Sequence, residues 1–344
     1  MNPEPQRAAA RPLKDRISRR LFSDPRLGRP MAHAARAAGM NDLSRYISRW
    51  CRWAPDVVDF DLRCGDEVLS GRMYSASSQD HIVRRIWISG AAGYEAPMPS
   101  MFAAVTRQKV WGMPAGAAAK QGHVFVIGAN SGFYAILAGL GKGARRVHAF
   151  EPYPPAYDWL EKNVKLNAVE GSVKLVAAAI SDKIGETTLL VPPPRFGAVL
   201  ETSASINPDY HEQVGQKIPV PMLTVDEYAK RDPECGIGGV SVMLIDIEGF
   251  EHAALEGARG VLQTSRPIVF FEVLNRASTQ VAALERIRKD HGYRCLGLEP
   301  AELKFSEPVQ PSEQYSNQLM VPEERLDALR EAAALAGVRF NPKG

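Results

Sequence analysis

Few cysteines, almost no excess charge and no long apolar run: each shortage closes off a class of protein. Among 344 residues there are 4 cysteines, Cys51, Cys64, Cys235 and Cys295. No two form a C-x-x-C pair, and their spacing makes no metal-ligand cluster. A disulfide framework is thereby excluded, and the cysteines read as reduced thiols in a cytoplasmic protein. The formal net charge of +3 is too small to argue for a nucleic-acid partner. No apolar run reaches the length of a membrane span, and the N-terminus offers Pro, Glu and scattered Arg instead of a signal core. What is left, 45% hydrophobic and 24% charged, suits a globule with core enough for one large domain and an appendage.

The stretch that is rich in meaning runs from His123 to Tyr134. The run His123-Val124-Phe125-Val126-Ile127 has the length and branching of a strand buried on both faces. It ends in Gly128-Ala129-Asn130-Ser131-Gly132, whose glycines allow a sharp turn and a bare approach to a ligand. Phe133, Ile136, Leu137 and Leu140 then recur at helical spacing, with Gly141 placed as a C-cap. Amides at such a helix start face outward and suit electron-rich groups. A second apolar run, Val147 to Phe150, ends in Glu151, at the offset of an acid that accepts from ribose hydroxyls. One more absence matters here. A dinucleotide fingerprint needs G-x-G-x-x-G, and its third glycine is missing.

Before this stretch, arginines recur from Arg7 to Arg52 against few acids, with Leu13, Ile17, Leu21 and Phe22 at helical spacing. Residues 1–56 therefore read as a basic helical extension, either packed on the main domain or held against an anionic membrane surface. From 57 to 118 the chain reads as short strands and turns, including the apolar run Val83–Ile88, followed by a helix from Pro99 to Arg107. After Glu151 come a helix from Pro155 to Leu166 and a strand from Val173 to Ile180. The strand leads to Ser181-Asp182, where an adenine ring would lie beyond the strand ends. The stretch from Pro192 to Pro221 is the longest irregular one. Its Ser203, Ser205, Asn207, Tyr210 and His211 are candidate substrate contacts. Thr224 then N-caps a helix.

A second chemical focus is Val242-Met243-Leu244-Ile245-Asp246-Ile247-Glu248-Gly249. While the backbone stays extended, Asp246 and Glu248 share one face of a strand end. A helix with Ala254, Leu255, Ala258 and Leu262 follows. Pro267 to Glu272 is the next strand, again tipped with an acid. A helix at 278–291 and strands at Tyr293–Leu296 and Leu319–Pro322 complete an α/β sheet.

These four motifs, Val126–Gly132, Phe150-Glu151-Pro152, Ile180-Ser181-Asp182 and Leu244–Glu251, resemble the FkbM-type methyltransferase family over roughly residues 80 to 322. The resemblance implies a class I (Rossmann-like) fold: a seven-stranded, mostly parallel sheet with an antiparallel last strand. It assigns 119–322 to a domain that binds S-adenosyl-L-methionine and leaves 323–344 as a C-terminal helix and tail. It also implies O-methylation of a sugar, glycolipid or natural-product hydroxyl. Carried onto this chain, Gly128, Asn130, Gly132 and Phe133 would meet the methionine part, Glu151 the ribose, Ser181 and Asp182 the adenine side. Asp246 and Glu248 would face the methyl group and acceptor. Val126 stands where the family has an acid that helps orient the glycine loop.

Aligning an acceptor oxygen with a sulfonium methyl does most of the work of methyl transfer, about 7–11 kcal/mol. A base adds roughly 10²- to 10⁴-fold, and Asp246 is its first candidate, with Glu248 and His252 behind it. A Mg²⁺ held by Asp246, Glu248 and Glu272 is the less favoured mechanism. Two other classes share parts of the pattern. A nicotinamide oxidoreductase shares strand, glycines, helix and acid but lacks the third glycine and any Tyr-x-x-x-Lys. A non-catalytic nucleoside-binding scaffold would act through the Arg-rich arm.

Overall fold

The computed structural model describes residues 56–76, 80–107, 122–193, 204–207, 213–273, 278–312 and 316–341, together with isolated positions between 27 and 47. The chain opens with an antiparallel hairpin, β1 (Val57–Cys64) and β2 (Glu67–Tyr74), then α1 (His81–Ser89) and α2 (Met98–Arg107). Next come β3 (His123–Ile127), α3 (Phe133–Gly141), β4 (Arg146–Phe150), α4 (Pro154–Leu166) and β5 (Val173–Val176). A small sheet follows from β6 (Ala179–Ile180), β7 (Gly185–Val191) and β8 (Gln216–Leu223), leading to α5 (Val225–Arg231). The second half runs β9 (Val240–Ile245), α6 (Glu251–Glu256), α7 (Arg259–Thr264), β10 (Ile268–Glu272) and α8 (Ser278–Asp290). It ends with β11 (Tyr293–Glu299), β12 (Glu302–Phe305), β13 (Asn317–Pro322), α9 (Leu326–Leu335) and β14 (Arg339–Asn341).

Among the described residues the central sheet has nine strands in the order β14-β12-β11-β13-β10-β9-β3-β4-β5. From β5 to β10 every pairing is parallel, and β13 enters antiparallel between β10 and β11. Seven of these strands make the expected α/β sheet of the class I fold. The sequence reading missed β12, which pairs with β11, and β14, which adds to that edge. Along β3 the side chains alternate between two cores. Val124 and Val126 pack with α1, α2, α3 and α9, whereas Phe125 and Ile127 pack with α5, α6, α7 and α8. With both faces covered, a central strand must be apolar throughout, which is why it reads as an unbroken hydrophobic run.

Several elements differ from the sequence reading, each for a local reason. Val83–Ile88 is helical, because Asp80 caps the turn by accepting from Val83 N at 2.9 Å and Ile82, Val83, Ile86 and Trp87 form one buried face. Val173–Ile180 divides into β5 and β6, which belong to different sheets. Gly141 is the last residue of α3, and Lys142, at φ +52°, adopts the left-handed C-cap. The irregular stretch stops at 215, since 216–223 pairs with β7 as β8. The single helix expected after Gly249 is broken into α6 and α7 at Gly257. A Cβ there would lie 2.1 Å from Ser181 O, and Asp226 takes the amides of Gly260 and Val261 at 2.7 and 2.9 Å to start the second helix. Thr224 does N-cap α5, accepting from Glu227 N at 3.1 Å.

Most of residues 1–56 lie outside the described set. Ala35 and Ile47, described within it, are buried in the core on the α2–α3 side, while Leu27, Met31, Met40 and Leu43 are exposed. Ser203, Tyr210 and His211 also lie outside the described residues. No helix among the described residues is long and apolar enough to cross a membrane.

Candidate functional site

The strand order reverses between β3 and β9, and a crevice opens beyond their carboxyl ends, as doubly wound sheets dictate. Backbone contacts close its floor. Asp246 N donates to Ile127 O at 3.0 Å, and the amides of Gly128 and Ala129 both donate to Phe150 O. Gly128, at φ +82°, lies so close to Asp246 that an added Cβ would come within 1.8 Å of its carbonyl oxygen. Only glycine fits at that crossing.

Above this floor a pocket opens. Gly128, Asn130, Glu151, Asp246 and Glu248 are on its wall, with Ser205 opposite. Phe150, Tyr153, Ala179, Ile180 and Leu189 supply an apolar side. Among the described residues three carboxyls line it, and no Lys or Arg does. The turn near 130 and the acid at 151 are thus joined directly. Glu151 accepts from Asn130 N at 2.7 Å and from Tyr153 N at 2.8 Å. Burial pushes its carboxyl up to about 7 against the pull of those two amides. Asn130 sits at φ +49° and accepts from Ser131 N with its own side chain, which holds the bend. On α4, Asn163 clamps the next carbonyl, donating to Ser131 O at 2.8 Å.

The acidic turn is built differently from the sequence reading. The strand ends at Ile245, and Glu248 is left-handed at φ +57°, so Asp246 and Glu248 do not share a face by extended alternation. They meet at the cavity because the turn curls around Glu251, which accepts from Ile247 N at 3.1 Å and Gly249 N at 3.2 Å. Glu251 is fully buried, its other oxygen touches Gln280, and burial raises its carboxyl to about 7. Ser205 donates to Glu248 O at 2.9 Å, and Asn207 donates to Gly249 O at 3.2 Å, so both grip the turn from the far side. Asp246 itself is raised well above the ordinary carboxylate range, by burial first and then by Glu272, Glu248, Glu95 and Glu251.

Five residues assigned to the site by sequence are not on the cavity wall. Gly132 starts α3 and abuts Leu160, where a Cβ would come within 2.7 Å. Phe133 turns into the core and packs edge-on against Phe60 and Tyr94. Ser181 is buried and donates to Asp182, which is exposed. His252 has a buried Nδ1 without a hydrogen-bond partner, and burial lowers its pKa. Val126 is fully buried among apolar side chains and brings no charge to the glycine turn.

Sequence reasoning gave no role to Glu251, although the G-F-E step just past the turn is the visible trace of its cap. It also passed over Glu95, which accepts from Tyr134 OH at 2.8 Å and whose charge reaches Asp246 and Glu272. No spacing rule announces a contact across 39 residues.

Among the described residues, the one group of three or more metal-ligating side chains with ligand atoms all within 4.8 Å contains a cysteine: His123, His148 and Cys235. Asp246, Glu248 and Glu272 do not form such a group. Parallel pairing of β3 with β4 brings the histidines together, which no C-x-x-C search detects.

The Methyltransferase FkbM domain matches residues 127–295. An FkbM methyltransferase from Methylobacillus flagellatus is 15% identical and covers 58% of this chain and 43% of its own, with a TM-score of 0.39. The chain therefore spans less than half the length of that protein. An O-methyltransferase from Bacillus cereus in complex with SAH is 14% identical, covering 65% of this chain and 80% of its own, with a TM-score of 0.36. A SAM-dependent O-methyltransferase from Thermotoga maritima is 12% identical over 66% and 65%, with a TM-score of 0.34. No curated protein sequence matches. Residues 127–295, which hold the glycine turn, the strand-end acid and the acidic turn, thus match a Methyltransferase FkbM domain.

Proposed function

We propose that this chain transfers a methyl group from S-adenosyl-L-methionine to a hydroxyl of a sugar, glycolipid or natural-product acceptor. The observation that carries this reading is a crevice lined, among the described residues, by three carboxyls and no cationic side chain, bounded by a glycine turn and an apolar wall. Such a site favours a ligand that is itself positive and carries a vicinal diol. It disfavours the pyrophosphate of a nicotinamide dinucleotide, which seeks amides and cations. Glu151 would accept from the ribose hydroxyls, and Ile180, Tyr153 and Leu189 would flank the base. S-adenosyl-L-methionine would supply a methyl already attached to an excellent leaving group.

What remains for the protein is alignment and a proton acceptor. Asp246 is the choice for the latter, because its buried, acid-ringed carboxyl is a stronger base than an exposed one. Glu248 is the reserve on the same wall. His252, off the wall, would reach the acceptor only after rearrangement. Mg²⁺ is not needed for this chemistry. The exposed Leu27, Met31, Met40 and Leu43 among the arginines support a peripheral membrane contact, suited to a glycolipid acceptor. Free thiols at Cys64, Cys235 and Cys295 support a reducing, cytoplasmic setting.

Calorimetry with S-adenosylhomocysteine and with NAD tests the cofactor. Binding of NAD alone would refute the proposal. Labelled methyl transfer into an extract of hydroxylated small molecules then tests the chemistry. Asp246→Asn should lower it roughly 10²- to 10⁴-fold while leaving S-adenosylhomocysteine affinity within a few-fold, and a chelator should leave it unchanged. Full activity in Asp246→Asn would move the base elsewhere.

A further inference from the structure

At the opposite end of the central strands, away from the crevice, three side chains that could ligate a metal converge in the core. His123 opens β3, His148 lies in β4, and Cys235 follows α5 on the turn that leads to β9. They are 1%, 0% and 8% exposed. His123 Nδ1 is 2.8 Å from His148 Nε2, with the ring centroids 5.0 Å apart. We propose that His123, His148 and Cys235 form a binding site for one borderline-soft divalent transition ion, Zn²⁺ in the first instance.

Geometry is the first support. Zn–N and Zn–S bonds of about 2.0–2.1 and 2.3 Å place tetrahedral ligand atoms roughly 3.3–3.8 Å apart. A histidine pair at 2.8 Å and a trio within 4.8 Å bracket those edges. Shifts of under about 1 Å would close the site.

Proton accounting is the second support. His148 Nδ1 faces Tyr228 OH at 2.8 Å and Asp232 Oδ2 at 3.9 Å, an outer pair that favours a proton on Nδ1 and a bare Nε2. Across from it lies His123 Nδ1 at 2.8 Å, so either a shared proton or a cation must lie between the two rings. The outer nitrogen of His123, Nε2, is buried and has no hydrogen-bond partner. Asp232 also orients the third ligand, since its Oδ1 accepts from Cys235 N at 3.2 Å. Outer carboxylates that hold ligating histidines are a recurrent feature of metal centres.

The charge environment is close to balanced. Lys174 is 2.8 Å from Asp232, and Arg146 is 4.0 Å from Glu234, so two of the nearby cations are matched by acids, with Arg145 beyond them. The free cluster offers one thiol and two imidazoles. Binding forms two N–metal bonds and one S–metal bond and releases one proton, from Cys235, to solvent. Water takes the fourth position. The ion would staple β3, β4 and the turn before β9, about 15 Å from Gly128 along the strand. Its role would be structural, independent of methyl transfer.

The test uses the full chain, stripped with a chelator and titrated with Co²⁺. A thiolate-to-cobalt charge-transfer band and tetrahedral visible bands should saturate at one ion per chain, and Zn²⁺ should displace them. Calorimetry in two buffers should report one proton released per Zn²⁺. Cys235→Ser should lose the charge-transfer band and bind Zn²⁺ about a hundredfold more weakly or worse. Cys64→Ser, at a cysteine outside the cluster, should retain both. S-adenosylhomocysteine affinity should be unchanged in either variant, which also reports that each is folded. No cobalt band in the unmodified chain, or the same band in Cys235→Ser, would overturn the proposal whatever cofactor the crevice binds.

Discussion

Glu151→Ala is the substitution that bears hardest on the crevice, because one side chain has two separable duties. In the free protein its carboxyl takes two amides, Asn130 N and Tyr153 N, at 2.7 and 2.8 Å. An unsatisfied buried amide costs about 1–3 kcal/mol. Because water from the cavity can reach both, the lower end applies and the loss of stability should be about 2–3 kcal/mol. The second duty is toward ribose. Loss of a charge-assisted contact of about 1.5–3 kcal/mol weakens S-adenosylhomocysteine roughly ten- to a hundredfold. The pH dependence separates the two. Free Glu151 titrates near 7, raised by burial, whereas the hydroxyls need the ionised form as acceptor. Affinity should therefore fall as pH drops below 7, by up to about tenfold per unit, and level off above it. Calorimetry from pH 5.5 to 8.5 on both proteins reads this directly. A variant with the same pH slope as the parent, or an affinity loss under about threefold, would show that the carboxylate does not meet the ribose.

Other outcomes follow from the same geometry. Gly128→Ala would place a methyl 1.8 Å from Asp246 O at φ +82°. It should abolish S-adenosylhomocysteine binding while far-ultraviolet dichroism stays native, and retained binding would mean that the crossing can open. Glu251 is protonated more readily in the fold than in the unfolded chain, its pKa lying near 7 instead of 4.5. Its contribution to stability is complete below pH 4.5 and is lost as pH rises to 7, a change of up to about 3 kcal/mol. Glu251→Gln should flatten the fall in melting temperature across that window, and an unchanged fall would place the titration on another group. Liposomes rich in anionic lipid should retain the full chain better than one lacking residues 1–40, and equal retention would remove the membrane contact.

The sequence by itself determined the class of fold and the two ends of the crevice. Unbroken apolar runs can exist only where a strand is covered on both faces, so β3, β4, β9 and β10 were legible, and glycine at 128 marked a backbone crossing that admits no side chain. The acids after β4 and β9 were equally plain, since strand ends place them. Tertiary structure alone decided the rest. Whether Gly132 and Phe133 look into the crevice or into the core depends on how α3 lies on α4 and on the β1–β2 hairpin. Period-2 alternation failed at Asp246 and Glu248 because a buried carboxyl three residues further on bends the turn. The same limit hid Glu95 beside Tyr134 and brought His123, His148 and Cys235 together. Contacts across tens of residues are set by strand order and register, and no local spacing encodes them.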